Sequence, residues 1–236
     1  MEIKLMTFNT QHCLNYLEQK IDFPIMADTI RRFDADIVGL NEMYFGGDEP
    51  DFSDQVGTLA ERCGYTYHYF GVTLENAPFG QYGIGMMSRV APESIRLIEI
   101  PSPDDGAYHE PRAIIKARFQ NGLTVLVSHF GLTDEEKKNA VETALSHTEK
   151  EKCVLMGDLN MTPDCEILRP IFEAMKDTAS VALGECLSFP SPAPIKKIDY
   201  IFVSRDVTVL DADVPAVIAS DHRPHIAHIH IDASKE

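Results

Sequence analysis

At 236 residues and 44% hydrophobic, the chain is long enough to bury a substantial core. Acidic residues outnumber basic ones 37 to 21, giving a formal net charge of −16, which argues against a broad cationic surface for coating nucleic acid. No apolar run approaches the ~18–20 residues that a membrane-spanning helix requires.

The chain opens on a short apolar strand, Ile3 to Phe8, that delivers Asn9, and a loop from Gln11 to Lys20 follows. A helix is expected over Pro24 to Phe33, with Ile25, Ile30 and Phe33 facing inward. Strand Ile37-Val38-Gly39-Leu40 delivers Asn41 and Glu42, directly before an acidic, glycine-rich loop from Tyr44 to Ser53. Gln55 to Cys63 reads as a helix and Tyr65 to Phe70 as an aromatic-rich strand. Small-residue strand Gly83 to Met87 and strand Glu93 to Ile100 lead into a long loop, Pro101 to Pro111. Arg112 to Phe119 and Leu123 to Phe130 flank Asn121-Gly122, the strongest short hairpin signal, and the second of them carries Ser128 and His129. Thr133 caps a helix running to Ser146, with Glu136 closing a capping box. Strand Cys153 to Met156 stops at Gly157, and Asp158 and Asn160, two apart, share one face beyond it. A helix from about Asp164 to Lys176, a proline-rich loop from Ser188 to Pro194, strands Ile198 to Val203 and Val207 to Leu210, and a last strand His225 to Ile231 complete the order.

Strands and helices are mixed, and a hairpin is present, so a purely parallel doubly wound sheet is disfavoured. Two sheets packed face to face, with helices outside, fit better. Glycines and prolines are scattered rather than gathered in a linker, so a single domain over residues 1–236 is expected. Cys13, Cys63, Cys153, Cys165 and Cys186 are odd in number and lack CxxC or zinc-type spacing. With no secretory leader pattern at the start, these read as free thiols in a reducing cytoplasm.

Polar residues recur at the strand ends. Any one of them reads as a turn or cap residue, but amides, carboxylates and histidines together make a catalytic mixture. Asp199 interrupts an apolar strand, which is costly unless the acid is paired. Arg112 suits either a phosphate contact or a structural ion pair, and Tyr82 either a packed strand end or a substrate contact. His228 and His230 alternate with Ile229 and Ile231, as an exposed face would. Lys196-Lys197 is too short for a nucleic-acid patch but can steer an anion.

In order, Thr7-Phe8-Asn9, Asn41-Glu42, Ser128-His129, Gly157-Asp158-Leu159-Asn160, Ile198-Asp199-Tyr200-Ile201-Phe202 and Ser220-Asp221-His222 resemble the endonuclease/exonuclease/phosphatase superfamily, the deoxyribonuclease I-like group. Ser188-Phe189-Pro190-Ser191 ahead of Lys196-Lys197-Ile198-Asp199-Tyr200 is similar to a compact bacterial branch of it. The resemblance implies a four-layer α/β/β/α sandwich with the site at one edge of the paired sheets. It implies hydrolysis of a phosphate ester by water with Mg²⁺ or Mn²⁺. Carried over, Glu42 is the principal metal ligand with Asn9 close by, and Asp221 is a second acid. Asp158 orients or deprotonates the water, Asn160 holds a phosphoryl oxygen, His222 contacts the scissile phosphate with Asp199 behind it, and His129 lies near the leaving group. Asn41 stands where Gln is often found, and Gln11 where some members place Asp, which favours one ion over two.

The expected partner is a small phosphate ester, without an obligate protein partner. A nuclease acting on DNA or RNA is the alternative, disfavoured by charge, and a non-catalytic scaffold is a further one. All of this requires Glu42 and His222 to lie within about 12 Å, the reach of one ion-bound phosphate.

Overall fold

In the computed structural model, which describes residues 1–232, side-chain alternation sorts the strand residues into distinct layers. Ile3, Leu5 and Ile37 point into a core shared with Val125, Val127, Val154, Met156 and Ile201. Met6, Phe8, Val38 and Leu40 point the other way, beneath the helices Phe23–Phe33 and Gln55–Cys63. Leu126, Leu155, Tyr200 and Phe202 face outward on the other side, under Asp134–His147 and Arg169–Ala174. The layers run helix, sheet, sheet, helix, as expected.

One sheet has the order Thr208–Asp213, His225–His230, Glu2–Asn9, Ile37–Phe45, Gly80–Ser88, Tyr67–Ala77. The other has Lys176–Asp177, Asp199–Val203, Cys153–Asp158, Thr124–His129, Arg112–Phe119, Pro92–Ile100. Glu2–Asn9 pairs parallel with Ile37–Phe45, and Cys153–Asp158 pairs parallel with Thr124–His129 but antiparallel with Asp199–Val203. Both sheets are therefore mixed.

The capping box forms: Thr133 Oγ1 accepts from Glu136 N at 3.3 Å, and Thr133 N donates to Glu136 Oε2 at 2.8 Å. Elsewhere the elements shift. On Phe23–Phe33 the inward face is Met26, Ala27 and Ile30, while Ile25 and Phe33 sit half-buried on its flanks, because Met26 and Ile30 lie one turn apart over the sheet. The expected helix from Asp164 to Lys176 shrinks to a 3-10 turn, Glu166–Leu168, and Arg169–Ala174, with a proline in its first turn. Its tail is taken by the sheet, since Lys176 and Asp177 pair with Val203 and Phe202. The strand expected to stop at Leu40 continues to Phe45, and the strands expected over Tyr65 to Phe70 and Gly83 to Met87 extend to Tyr67–Ala77 and Gly80–Ser88, pairing as a hairpin. All of the cysteines are free, and no helix among the described residues is long and apolar enough to cross a membrane.

Candidate active site

The face that carries the inter-sheet core turns polar at one edge of the sandwich. Two residues beyond Val127, on the same face, stands His129; beyond Met156 stands Asp158; and before Ile201 stands Asp199. Registry then brings them together, with Asp158 opposite His129 on one side and Asp199 on the other, and Asn9 opposite Asn41 across the facing sheet.

The backbone is bent to aim these groups. The ladder with Gly80–Ser88 slips between Leu40 and Met43, and inside this bulge Glu42 has φ 60°. Asn160 is also left-handed, at φ 52°. Non-glycine residues in this region cost roughly 1–3 kcal/mol each, and such strain collects where geometry serves chemistry. Gly157 sits at φ 148°, and a Cβ there would meet Ser128 O at 1.8 Å. Only glycine allows that approach.

Asp158 is the hub and is buried. Its Oδ1 accepts from Asn160 N at 2.9 Å; its Oδ2 accepts from Asn9 Nδ2 at 3.1 Å and lies 3.6 Å from both His129 Nε2 and His222 Nε2. Asn9 Nδ2 also reaches Glu42 Oε1 at 2.9 Å. The links from Glu42 through Asn9 and Asp158 to His222 share atoms end to end, at 2.9, 3.1 and 3.6 Å, so the two ends meet the proximity requirement. His222 Nδ1 is 2.8 Å from Asp199 Oδ2, the partner a buried acid needs.

Burial, with Asp199 adding to it, pushes the Asp158 carboxyl up to about 7. Burial lowers His222, but the charge and hydrogen bond of the Asp199 carboxylate, together with the charges of Asp158 and Asp221, more than offset it and raise the imidazole to about 10. His129 behaves oppositely: burial, then the charges of Arg112 and His222, hold it well below its ordinary value. Arg112 Nη1 is 2.9 Å from His129 Nδ1 and 2.8 Å from Glu110 Oε1. A guanidinium only donates, so Nδ1 accepts and the His129 proton sits on Nε2. Arg112 thus forms the ion pair and also belongs to the cluster.

Burial raises Glu42, with Asn9 opposing, and the charges of Asp221, His222 and Arg112 all act on it. Asp221 accepts from Ser220 Oγ at 3.0 Å and faces the same space. Tyr82 packs against Tyr44 with the rings tilted and their centroids 5.1 Å apart, and burial followed by the Glu42 charge raises its hydroxyl far above the ordinary range. Asn160 Nδ2 donates to Phe130 O at 3.0 Å and lies 3.2 Å from His129 Nε2. His228 and His230 lie elsewhere, beside Glu2 and Asp232.

Two donor sets suit a cation. Asp158, Asp199 and His222 offer ligand atoms within 4.8 Å of one another, and the buried Asp199 Oδ1 has no hydrogen-bond partner. An ion there would compete with the proton that joins His222 to Asp199. Glu42 and Asp221 provide carboxylate oxygens without that competition, with the Asn9 amide beside Glu42, and match a hard divalent cation.

Two residues have positioning roles that the sequence left unassigned. Asn41 fastens the sheets together: its Oδ1 accepts from Asp158 N at 3.0 Å, and its Nδ2 donates to Ser128 O at 2.9 Å. Its place beside Glu42 was the available signal. Gln55, fully buried, accepts from Tyr44 N at 2.9 Å and donates to His12 O at 2.8 Å, bracing the bulged strand against a left-handed turn at Gln11, His12 and Cys13. At the start of a helix it carries no sequence cue.

The model of the endonuclease/exonuclease/phosphatase family matches residues 6–222, which includes every residue of this cluster. The chain belongs to that family. Its members hydrolyse phosphate esters and include both phosphatases and nucleases. Among solved structures, a family protein from Beutenbergia cavernae is 22% identical with a TM-score of 0.81, over 98% of this chain and 72% of that one. The mannosyl-6-phosphatase Bt3783 of Bacteroides thetaiotaomicron is 14% identical with a TM-score of 0.74, over 97% and 100%. The human Nocturnin catalytic domain, bound to sulfate, is 15% identical with a TM-score of 0.71, over 97% and 93%. At these identities the likeness establishes the fold. No curated protein gives a significant sequence match.

Proposed function

We propose that the chain is a divalent-cation-dependent phosphoesterase that cleaves a small phosphomonoester or phosphodiester by direct attack of water. The observation that carries this reading is the placement of Asp158 between an acid–amide pair, Glu42 and Asn9, and a charged imidazole, His222. Bound at Glu42, Asn9 and Asp221, Mg²⁺ or Mn²⁺ would supply positive charge to the non-bridging phosphoryl oxygens.

The protein's own groups do the rest. Asp158 aligns the attacking water and takes its proton, and a carboxyl near 7 suits a base at neutral pH. His222, kept as imidazolium by Asp199, presents its Nε2 proton to the phosphate as charge builds there. Of the two histidines it is the one that carries an extra proton at neutral pH, and so the one with a proton to give the departing oxygen. His129 is neutral and bears its proton on Nε2, so it acts as a hydrogen-bond donor rather than as an acid. Asn160 steadies a phosphoryl oxygen, and Arg112 and Tyr82 border the substrate. Positioning and electrostatics together are the main source of rate in such a reaction.

The net charge of −16 favours a compact substrate over a polyanionic nucleic acid. A panel of sugar phosphates, headgroup phosphodiesters, nucleotides and single- and double-stranded nucleic acids, run with Mg²⁺ or Mn²⁺ and with chelator, tests the reading. Turnover of a small ester that needs the ion and disappears in Asp158→Asn is expected. Activity confined to polymeric nucleic acid would replace the phosphoesterase reading with a nuclease.

A further inference from the structure

Away from the Asp158 cluster, a cavity of about 530 Å³ opens beside the edge strand Lys176–Asp177. Its volume lies within the range of small-molecule sites. Lys176, Lys197 and Arg205 line it, against one carboxylate, that of Asp177. In a chain of net charge −16, this is a local excess of positive charge.

The cations are held in place, and of the three only Lys197 meets a carboxylate. Lys197, 92% buried by its 8% exposure, points its ammonium at Asp177 Oδ2 (3.4 Å), Asp199 O (3.3 Å) and the Tyr200 ring (3.8 Å to the centroid). Arg205 Nη2 donates to the carbonyl oxygens of Phe172 and Glu173 at 3.2 and 2.8 Å, and Lys176 Nζ donates to Val207 O. Neither makes an ion pair among the described residues. The nearby Glu173 carboxylate is taken by Arg169 at 3.0 Å. Carbonyl oxygens orient a cation but leave its charge uncompensated, so an anion entering here gains Coulomb energy in a partly desolvated setting. The remaining walls are apolar, chiefly Phe172, Met175 and Pro163.

We propose that this cavity is a second ligand site, taking a small organic anion whose carboxylate or phosphate faces Lys176, Lys197 and Arg205 while its apolar body lies on Phe172 and Met175. The site is separate from the phosphoesterase cluster, and the inference does not depend on that activity. Lys197 nevertheless touches the backbone of Asp199, so the two sites share a wall.

Benzoate and the non-hydrolysable phenylphosphonate are suitable probes, with uncharged benzamide as the control. Binding is followed by calorimetry and by amide NMR shifts on the whole chain. The two anions should shift Lys176, Ala179, Ser180 and Cys186 saturably, and benzamide should not; the stronger anion shows whether a carboxylate or a phosphate is preferred. Lys176→Gln with Arg205→Gln should weaken binding by more than about 10-fold, since each charge-assisted contact removed is worth at least that much. Ser180→Trp, which fills the mouth and removes no charge, should abolish it. Shifts confined to Asn9, Asn160 and His222, equal binding of benzamide, or affinity unchanged in both variants would overturn the proposal.

Discussion

Replacing Asp199 by Asn keeps a hydrogen-bond acceptor 2.8 Å from His222 Nδ1 and removes its charge. Without that charge the main influence opposing burial is gone, and the imidazole should fall from about 10 towards its ordinary value of 6.5. A group whose folded pKa is raised stabilises the fold fully below its unfolded value and loses that contribution as pH rises through the folded one. Here the contribution is complete below pH 6.5 and fades as pH rises through about 10. Uncoupling one partner of a buried pair costs about 3 kcal/mol, which for a chain of this size lowers Tm by about 6–12 °C near pH 6. The gap between wild type and variant should narrow towards pH 10. Thermal unfolding at both pH values, with chelator present, measures it, and imidazole NMR follows His222 itself. Turnover should fall by about 10²–10⁴, because the charged donor is lost at neutral pH. A wild-type His222 that titrates near 6.5, or a titration unmoved by Asp199→Asn, would refute the reasoning.

Gly157→Ala places a Cβ 1.8 Å from Ser128 O at φ 148°, and should cost at least about 3 kcal/mol in denaturant unfolding. Asn41→Ala orphans the buried Asp158 N–H and one bond to Ser128 O, so a loss of roughly 2–4 kcal/mol and a fall in turnover are expected. Arg112→Met removes a charge 2.9 Å from His129 Nδ1, and NMR titration should show the His129 pKa rise.

Period-two alternation made much of the site legible. The residues two beyond Val127 and Met156 had to continue the inter-sheet face, and the lone acid Asp199 announced a partner that proved to be His222. What alternation does not encode is where the chain leaves it. The bulge that lengthens the Ile37–Phe45 strand and turns Glu42 is set by pairing with Gly80–Ser88. The capture of Lys176 and Asp177 by Asp199–Val203 depends equally on a distant partner. The proton on His129 is likewise invisible in sequence, since it follows from Arg112 arriving at Nδ1 across a neighbouring strand.

The most direct test of the account is hydrolysis of a small phosphate ester in ¹⁸O-water, followed by ³¹P NMR. Attack of water on phosphorus predicts one ¹⁸O atom in the released phosphate or phosphomonoester, formed with Mg²⁺ or Mn²⁺ and lost with chelator or in Asp158→Asn. Label appearing in the alcohol instead, or release undiminished by chelator, would contradict it.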